Sequence, residues 1–193
     1  MPTPFLLNGI LASQISGHLY SGPTGAFDAL GSVTVGAGGQ SSITFSAIPQ
    51  TWTHLQIRML TQATATGPLY MKMNFNGDTG NNYSYHELTG NGSTAAAGAG
   101  SSVAFAVAAD GISSTPGFNG GIVDILDYAS TTKAKTSRSL SGQDNNGSGY
   151  VYLASSGWYN NTAGVYPAIN SIVLTMSSGN FAQYSNFSLY GIR

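Results

Sequence analysis

Acid–base and nucleophilic chemistry has little to draw on in this chain. Its 193 residues hold three histidines (His18, His54 and His86), seven carboxylates and no cysteine. A serine nucleophile needs a base that is itself oriented by an acid, and no Gly-x-Ser-x-Gly elbow occurs to hold one. His54 and His86 fall in strand-like stretches and read as polar-face residues. A glycosidase needs two carboxylates across a sugar cleft. Among Asp28, Asp78, Glu87, Asp110, Asp124, Asp127 and Asp144, only Glu87 with Asp124 suggests a pair, and no spacing joins them. The run from Asp144 to Ser148 starts like a calcium loop, but Ser155 stands where the bidentate glutamate belongs. That run and the one from Asp78 to Asn82 read as turns whose Asp and Asn side chains bind their own backbone. The glycines around Gly90 and Gly98 lack a following lysine and helix, so a phosphate loop is not indicated. The expectation is a protein that is not an enzyme and carries no metal or cofactor.

Aromatic residues offer a different chemistry. There are 11 Tyr and 2 Trp, and Tyr150, Tyr152, Trp158, Tyr159 and Tyr166 lie close in sequence. Such rings suit strand cores and subunit interfaces first and sugar faces second. Trp158, Tyr159 and Tyr166, set among Asn and Ser, are the candidates for glycan contact.

The elements that position these residues are strands. From Trp52 to Leu60 the chain alternates: Thr53, Leu55, Ile57 and Met59 on one face, Trp52, His54, Gln56 and Arg58 on the other. That period of two marks a strand with one face in a core. Pro49 stops the strand before it and Gly67-Pro68 turns the chain after it. Leu69, Met71, Met73 and Phe75 repeat the alternation, so Trp52–Leu60 is expected in the middle of an antiparallel sheet, between its sequence neighbours. Ser32–Val35 and Ser42–Phe45 read as a hairpin across Gly36–Gly39. Further strands fall at Tyr83–Leu88, Val103–Val107, Ile122–Tyr128, Thr136–Leu140, Tyr150–Ala154, Ile169–Met176 and Phe187–Ile192. Thr89–Gly100, Ala109–Gly121 and Ser155–Tyr166 read as long loops. About ten short strands without a helical pattern predict an all-β, jelly-roll-like antiparallel β-sandwich with an N-terminal extended arm.

The arm is assigned to residues 1–30 and the sandwich to residues 31–193. Glycine and proline interrupt the arm often, and between them stand Phe5, Leu6, Leu7, Ile10, Leu11, Ile15, Leu19 and Tyr20, the candidate interface residues. Leu7, Ile10, Leu11 and Ile15 fit one face of a short helix, which is marginal alone in water and so is expected to dock.

Only 7 % of the residues are charged, against about 25 % in an average soluble protein. A surface solvated by hydroxyls and amides protects a free monomer poorly and suits a subunit of an assembly. The net charge of −1 argues against nucleic-acid binding, since phosphates call for a basic stripe. Of the six basic residues only Lys133, Lys135 and Arg138 cluster, beside a turn. No stretch reads as a membrane span.

Three blocks carry a family resemblance: Ser42 to Arg58, Asn74 to Leu88, and Phe187 to Ile192. They resemble small structural proteins of tailed bacteriophage virions, in particular the capsid decoration (cement) type. The resemblance runs from about Gly9 onward and rests on strand and turn patterns, so it transfers no functional residue. It implies a virion protein, a β-sandwich homotrimer that bridges capsomers and touches the major capsid protein or another virion protein. The alternative is a tail- or fibre-associated module that binds host-surface glycans.

Overall fold

The computed structural model describes residues 26–114 and 117–193. They form twelve strands: β1 (Phe27–Thr34), β2 (Ser42–Phe45), β3 (His54–Thr61), β4 (Leu69–Phe75), β5 (Tyr83–Gly90), β6 (Ala95–Val103), β7 (Ala106–Ile112), β8 (Asn119–Leu126), β9 (Lys135–Asp144), β10 (Gly149–Trp158), β11 (Ile172–Met176) and β12 (Asn186–Ile192). No helix occurs among the described residues. All pairings are antiparallel. One sheet has the order β1-β12-β3-β8-β9-β10-β5-β6 and the other β2-β11-β4-β7.

Eight of these strands make a jelly roll. β1, β12, β3 and β8 oppose β2, β11, β4 and β7, and the chain changes sheet at every step from β1 to β4. Two hairpins, β5–β6 and β9–β10, are inserted and both extend the first sheet beyond β8. The core lies between the sheets. Leu55, Ile57, Met59, Val123, Ile125, Phe187 and Leu189 face Ile43, Phe45, Met71, Met73, Phe75, Ile172 and Leu174. The period of two in β3 and β4 is therefore the imprint of one buried face.

Several expectations need correction. β3 is central, but its partners are β12 and β8, not the strands adjacent in sequence. β1 and β2 form no hairpin: β1 pairs with β12 and β2 with β11. The Gly36–Gly39 link instead carries the chain between sheets. Gly39, at φ 75°, passes so close to strand-linking backbone that a Cβ there would lie 2.7 Å from the Phe181 carbonyl oxygen. β1 starts at Phe27, so residues 27–30 belong to the sandwich rather than to the arm.

The second half of the glycine- and alanine-rich run expected as a loop, Thr89–Gly100, belongs to strand β6, and the first two residues of the run end β5. Ladder hydrogen bonds need no side chain, and here the missing side chains are required: a Cβ on Gly98 or Gly100 would strike Glu87 or Tyr85 of β5 at 2.6 Å. Likewise β7 and β8 occupy most of Ala109–Gly121, and β10 continues through Trp158.

β7 ends the smaller sheet, and its outward backbone groups are met by hydroxyls instead of another strand. Ser156 Oγ accepts from the Val107 N–H (3.2 Å), Ser139 Oγ donates to the Val107 carbonyl (3.4 Å), and Ser141 Oγ accepts from the Asp110 N–H (3.3 Å). These buried serines of β9 and β10 cover an edge that would otherwise template pairing with another chain.

Trp52 and Tyr128 close the end of the sandwich near the C-terminus. The Tyr128 hydroxyl donates to the Pro49 carbonyl and accepts from the Trp52 N–H. The alternation assigns Trp52 to the outward face, yet it is buried, because it precedes β3 and folds over Gly191. A Cβ on Gly191 would lie 2.4 Å from the indole ring. Gly191→Ala should therefore lower stability by about 1–3 kcal/mol through overpacking, measured by urea unfolding. An unchanged midpoint would show that Trp52 moves freely.

Candidate functional site

The feature with the clearest capacity to act is the outer face of the eight-stranded sheet. Strand register aligns side chains in rows across it. One row runs Ser188, Arg58, Ile122, Leu140, Leu153, Leu88, Ala97. From Ile122 to Leu88 it is a continuous band of large aliphatic side chains on four adjacent strands. Val151 adds to it from the next row, where its neighbours are Gly142 and Gly90. These five residues are 42–61 % exposed. Scattered surface leucines are ordinary, whereas a contiguous apolar band marks a surface made for contact.

The band has a polar flank. The adjacent row is Tyr190, Gln56, Asp124, Arg138, Ser155, His86. Gln56 Nε2 donates to Asp124 Oδ1 at 2.7 Å, and Arg58 Nε donates to Gln56 Oε1 at 2.7 Å. The Arg58 guanidinium lies between the rings of Phe27 (5.0 Å) and Tyr190 (5.1 Å). Cation–π contact with both rings holds the charge in place at the β1–β12–β3 end. The β1–β12–β3 end of the face is thus fixed and polar, whereas β8, β9, β10 and β5 carry the aliphatic band beside a polar row.

Among the described residues, the histidines and the carboxylate pair picked out from the sequence are not brought together. His54 and His86 lie on β3 and β5, with β8, β9 and β10 between them, about 19 Å apart at ordinary strand spacing. His54 Nδ1 accepts the Asp127 N–H at 3.0 Å. Glu87 and Asp124 are three strand spacings apart and on opposite faces. Glu87 accepts from the Tyr152 hydroxyl inside (2.9 Å), while Asp124 points out. They cannot flank one sugar. His18 lies outside the described residues.

The basic cluster disperses as well. Lys133 pairs with Asp127 at 2.6 Å, and Arg138 joins the outer polar row. Lys135 is buried, with its ammonium on the carbonyls of Ser130 and Lys133. Burial pushes its pKa down. In the Asp144 run, Asp144 Oδ1 accepts the Gly147 N–H (2.9 Å) and Asn145 Oδ1 accepts the Gly117 N–H (3.0 Å). The Asp144 oxygen serves its own turn, as the Asp/Asn composition suggests, and the Asn145 oxygen ties that turn to the segment before β8. Among the described residues no group of three or more metal-ligating side chains occurs.

The glycan candidates separate. Trp158 is only 1 % exposed and cannot stack on a ligand. It ends β10 with its ring on Tyr83 (6.2 Å) and Phe75 (5.5 Å), and its Nε1–H donates to Asp78 Oδ2 at 2.7 Å. Asp78 also accepts from the Gly80 N–H, Asn82 Nδ2 and Asn160 Nδ2. Burial pushes its carboxyl up, but the bonds from Trp158, Asn82, Gly80 and Asn160 outweigh this and hold it below the usual value. The Asp78 turn is therefore a clasp between the β4–β5 connection and the end of β10. The alternation of aromatics along β10 carries a signal for burial that its Ser and Gly neighbours mask. Tyr159 is exposed and Tyr166 half-buried. The arm residues Phe5, Leu6, Leu7, Ile10, Leu11, Ile15, Leu19 and Tyr20 lie outside the described residues.

No family model, curated protein or solved structure matches the chain.

Proposed function

We propose that the chain is a structural subunit of a bacteriophage virion, a decoration protein that associates as a homotrimer and bridges capsomers of the shell. The observation that carries this reading is the aliphatic band on the outer sheet face. Seven strand spacings of about 4.8 Å and strands about 25 Å long give a face of roughly 800 Å², the size of one side of a standard interface. A chain with 13 charged residues, six basic and seven acidic, has little else to keep such a face soluble. Burying the band against a protein removes its aliphatic surface from water. The resemblance of three sequence blocks to decoration proteins supports the particle and the trimer.

Two measurements test this. Sedimentation equilibrium should give three times the 19.9 kDa chain mass. A monomer at every concentration removes the homotrimer. Quantitative mass spectrometry of purified virions should give a copy number comparable to that of the major capsid protein, and a handful of copies places the protein on the tail, where symmetry limits number. Because β1 begins at Phe27, a deletion that tests the arm stops at residue 25. The truncated protein should fold and fail to attach to shells. Full occupancy without the arm would assign attachment to the sandwich alone.

A further inference from the structure

The larger sheet outreaches the smaller one. Past β7 the larger sheet continues through β5 and β6 without an opposing strand, and a cleft of about 250 Å³ opens beside the start of β10, lined by Tyr70, Thr89, Asp110, Gly111, Tyr150 and Tyr152 among others. Its walls are fixed. Tyr70 stacks on Phe105 with centroids 5.6 Å apart, and the Lys72 ammonium sits over both rings. Tyr152 is the fully buried floor, its hydroxyl tied to Glu87. Gly111, at φ 73°, lets β7 approach Tyr150: a Cβ there would lie 2.9 Å from the Tyr150 Cβ. Asp110 Oδ1 accepts the Gly111 N–H at 2.6 Å. Its Oδ2 has no hydrogen-bond partner among the described residues.

We propose that this cleft binds one neutral sugar ring, which would stack on Tyr70 or Tyr150 and donate hydroxyl protons to Asp110 Oδ2. A pyranose has an apolar C–H face and a rim of hydroxyls, and the cleft has aromatic rings beside hydrogen-bonding oxygens. The volume equals about eight waters at roughly 30 Å³ each, enough for a single ring with its hydroxyls. Asp110 and Glu87 disfavour phosphorylated or acidic sugars by like-charge repulsion, and the cation beside the cleft wall, Lys72, is already engaged over the Tyr70 and Phe105 rings. Burial pushes the Asp110 carboxyl up, and a sugar hydroxyl can bond to it in either protonation state. Tyr150 and Tyr152 point inward from β10, whereas Val151 and Leu153 point out, so sugar binding and assembly use opposite faces of one strand. The inference goes beyond the assembly reading and does not depend on it.

The test is saturation-transfer NMR on the full chain with the methyl glycosides of glucose, galactose, mannose and N-acetylglucosamine, and methyl glucuronide as the acidic control. At least one neutral glycoside should receive saturation, and methyl glucuronide should receive none. Affinity should fall about tenfold or more, the equivalent of one lost hydrogen bond or ring stack, in Asp110→Asn and in Tyr150→Ala. Should Asp110→Asn fail to fold, Tyr150→Ala carries the test, since its ring is partly exposed. No transfer to any neutral glycoside overturns the proposal. So does binding that survives Tyr150→Ala but is lost in Tyr159→Ala, or stronger binding of the glucuronide. Sedimentation of the same variants should be unchanged, which keeps this result separate from the assembly reading.

Discussion

Asp78→Ala should cost about 3 kcal/mol of stability, the sum of a buried indole N–H left without an acceptor and several charge-assisted bonds removed. The Trp158 N–H has no other acceptor among the described residues, and its ring is wedged between Phe75 and Tyr83. The Tyr83 hydroxyl also donates to the Asp78 carbonyl and accepts from the Phe75 N–H, so the turn, both strands and the end of β10 loosen together. Urea unfolding at neutral pH measures the loss. A change below about 0.5 kcal/mol, the usual range for surface substitutions, would mean that the clasp does not act as one unit. The pH dependence gives a second reading. The folded carboxyl lies below its ordinary value, so its contribution is complete above about pH 4 and is lost as pH falls through the lowered pKa. The stability gap between wild type and Asp78→Ala should narrow as pH falls below about 4. Asp127, held low by Lys133, shifts in the same direction in both proteins and cancels in the comparison.

In the proposed homotrimer, placing charges in the aliphatic band should separate the subunits without unfolding them. Leu140 and Leu153 are direct cross-strand partners, both about half exposed. The double variant Leu140→Lys/Leu153→Asp leaves them a favourable opposite-charge pair in the monomer. In an interface the same pair must be desolvated. Replacing two central leucine anchors, at about 2 kcal/mol each, weakens association by roughly a thousandfold. Sedimentation should show monomer, while thermal unfolding stays close to that of the separated wild-type chain. A variant that still assembles at wild-type concentration would move the interface away from this face.

The band also shows where hydropathy misleads. On β9 the outward residues are Arg138 and Leu140, and the inward ones are Ser137, Ser139 and Ser141. A polar/apolar alternation alone would turn that strand over. The inversion follows from β7, an edge strand whose backbone donors and acceptor lie against β9 and β10 and are met by serine hydroxyls. An unpaired backbone group in a core costs more than a solvent-facing leucine. The same logic explains β6. Its glycines look like loop because they carry no side chain to read, yet the side chains of Tyr85 and Glu87 occupy the space a Cβ would need.

Local pattern by itself determined that this protein is all-β, that β3 and β4 each bury one face, and that Asp78 and Asp144 sit in self-bonded turns. These are properties of a few consecutive residues: a period of two, a proline, an Asp/Asn cluster. Only the tertiary structure decided which strands are neighbours, since a jelly roll sends consecutive strands to opposite sheets. It also buried Trp158, set Glu87 and Asp124 on opposite faces, and turned the leucines of β5, β9 and β10 outward. Each of those outcomes depends on a partner dozens of residues away, and the free energy that selects it, an edge sealed or an indole proton accepted, does not exist until both segments meet.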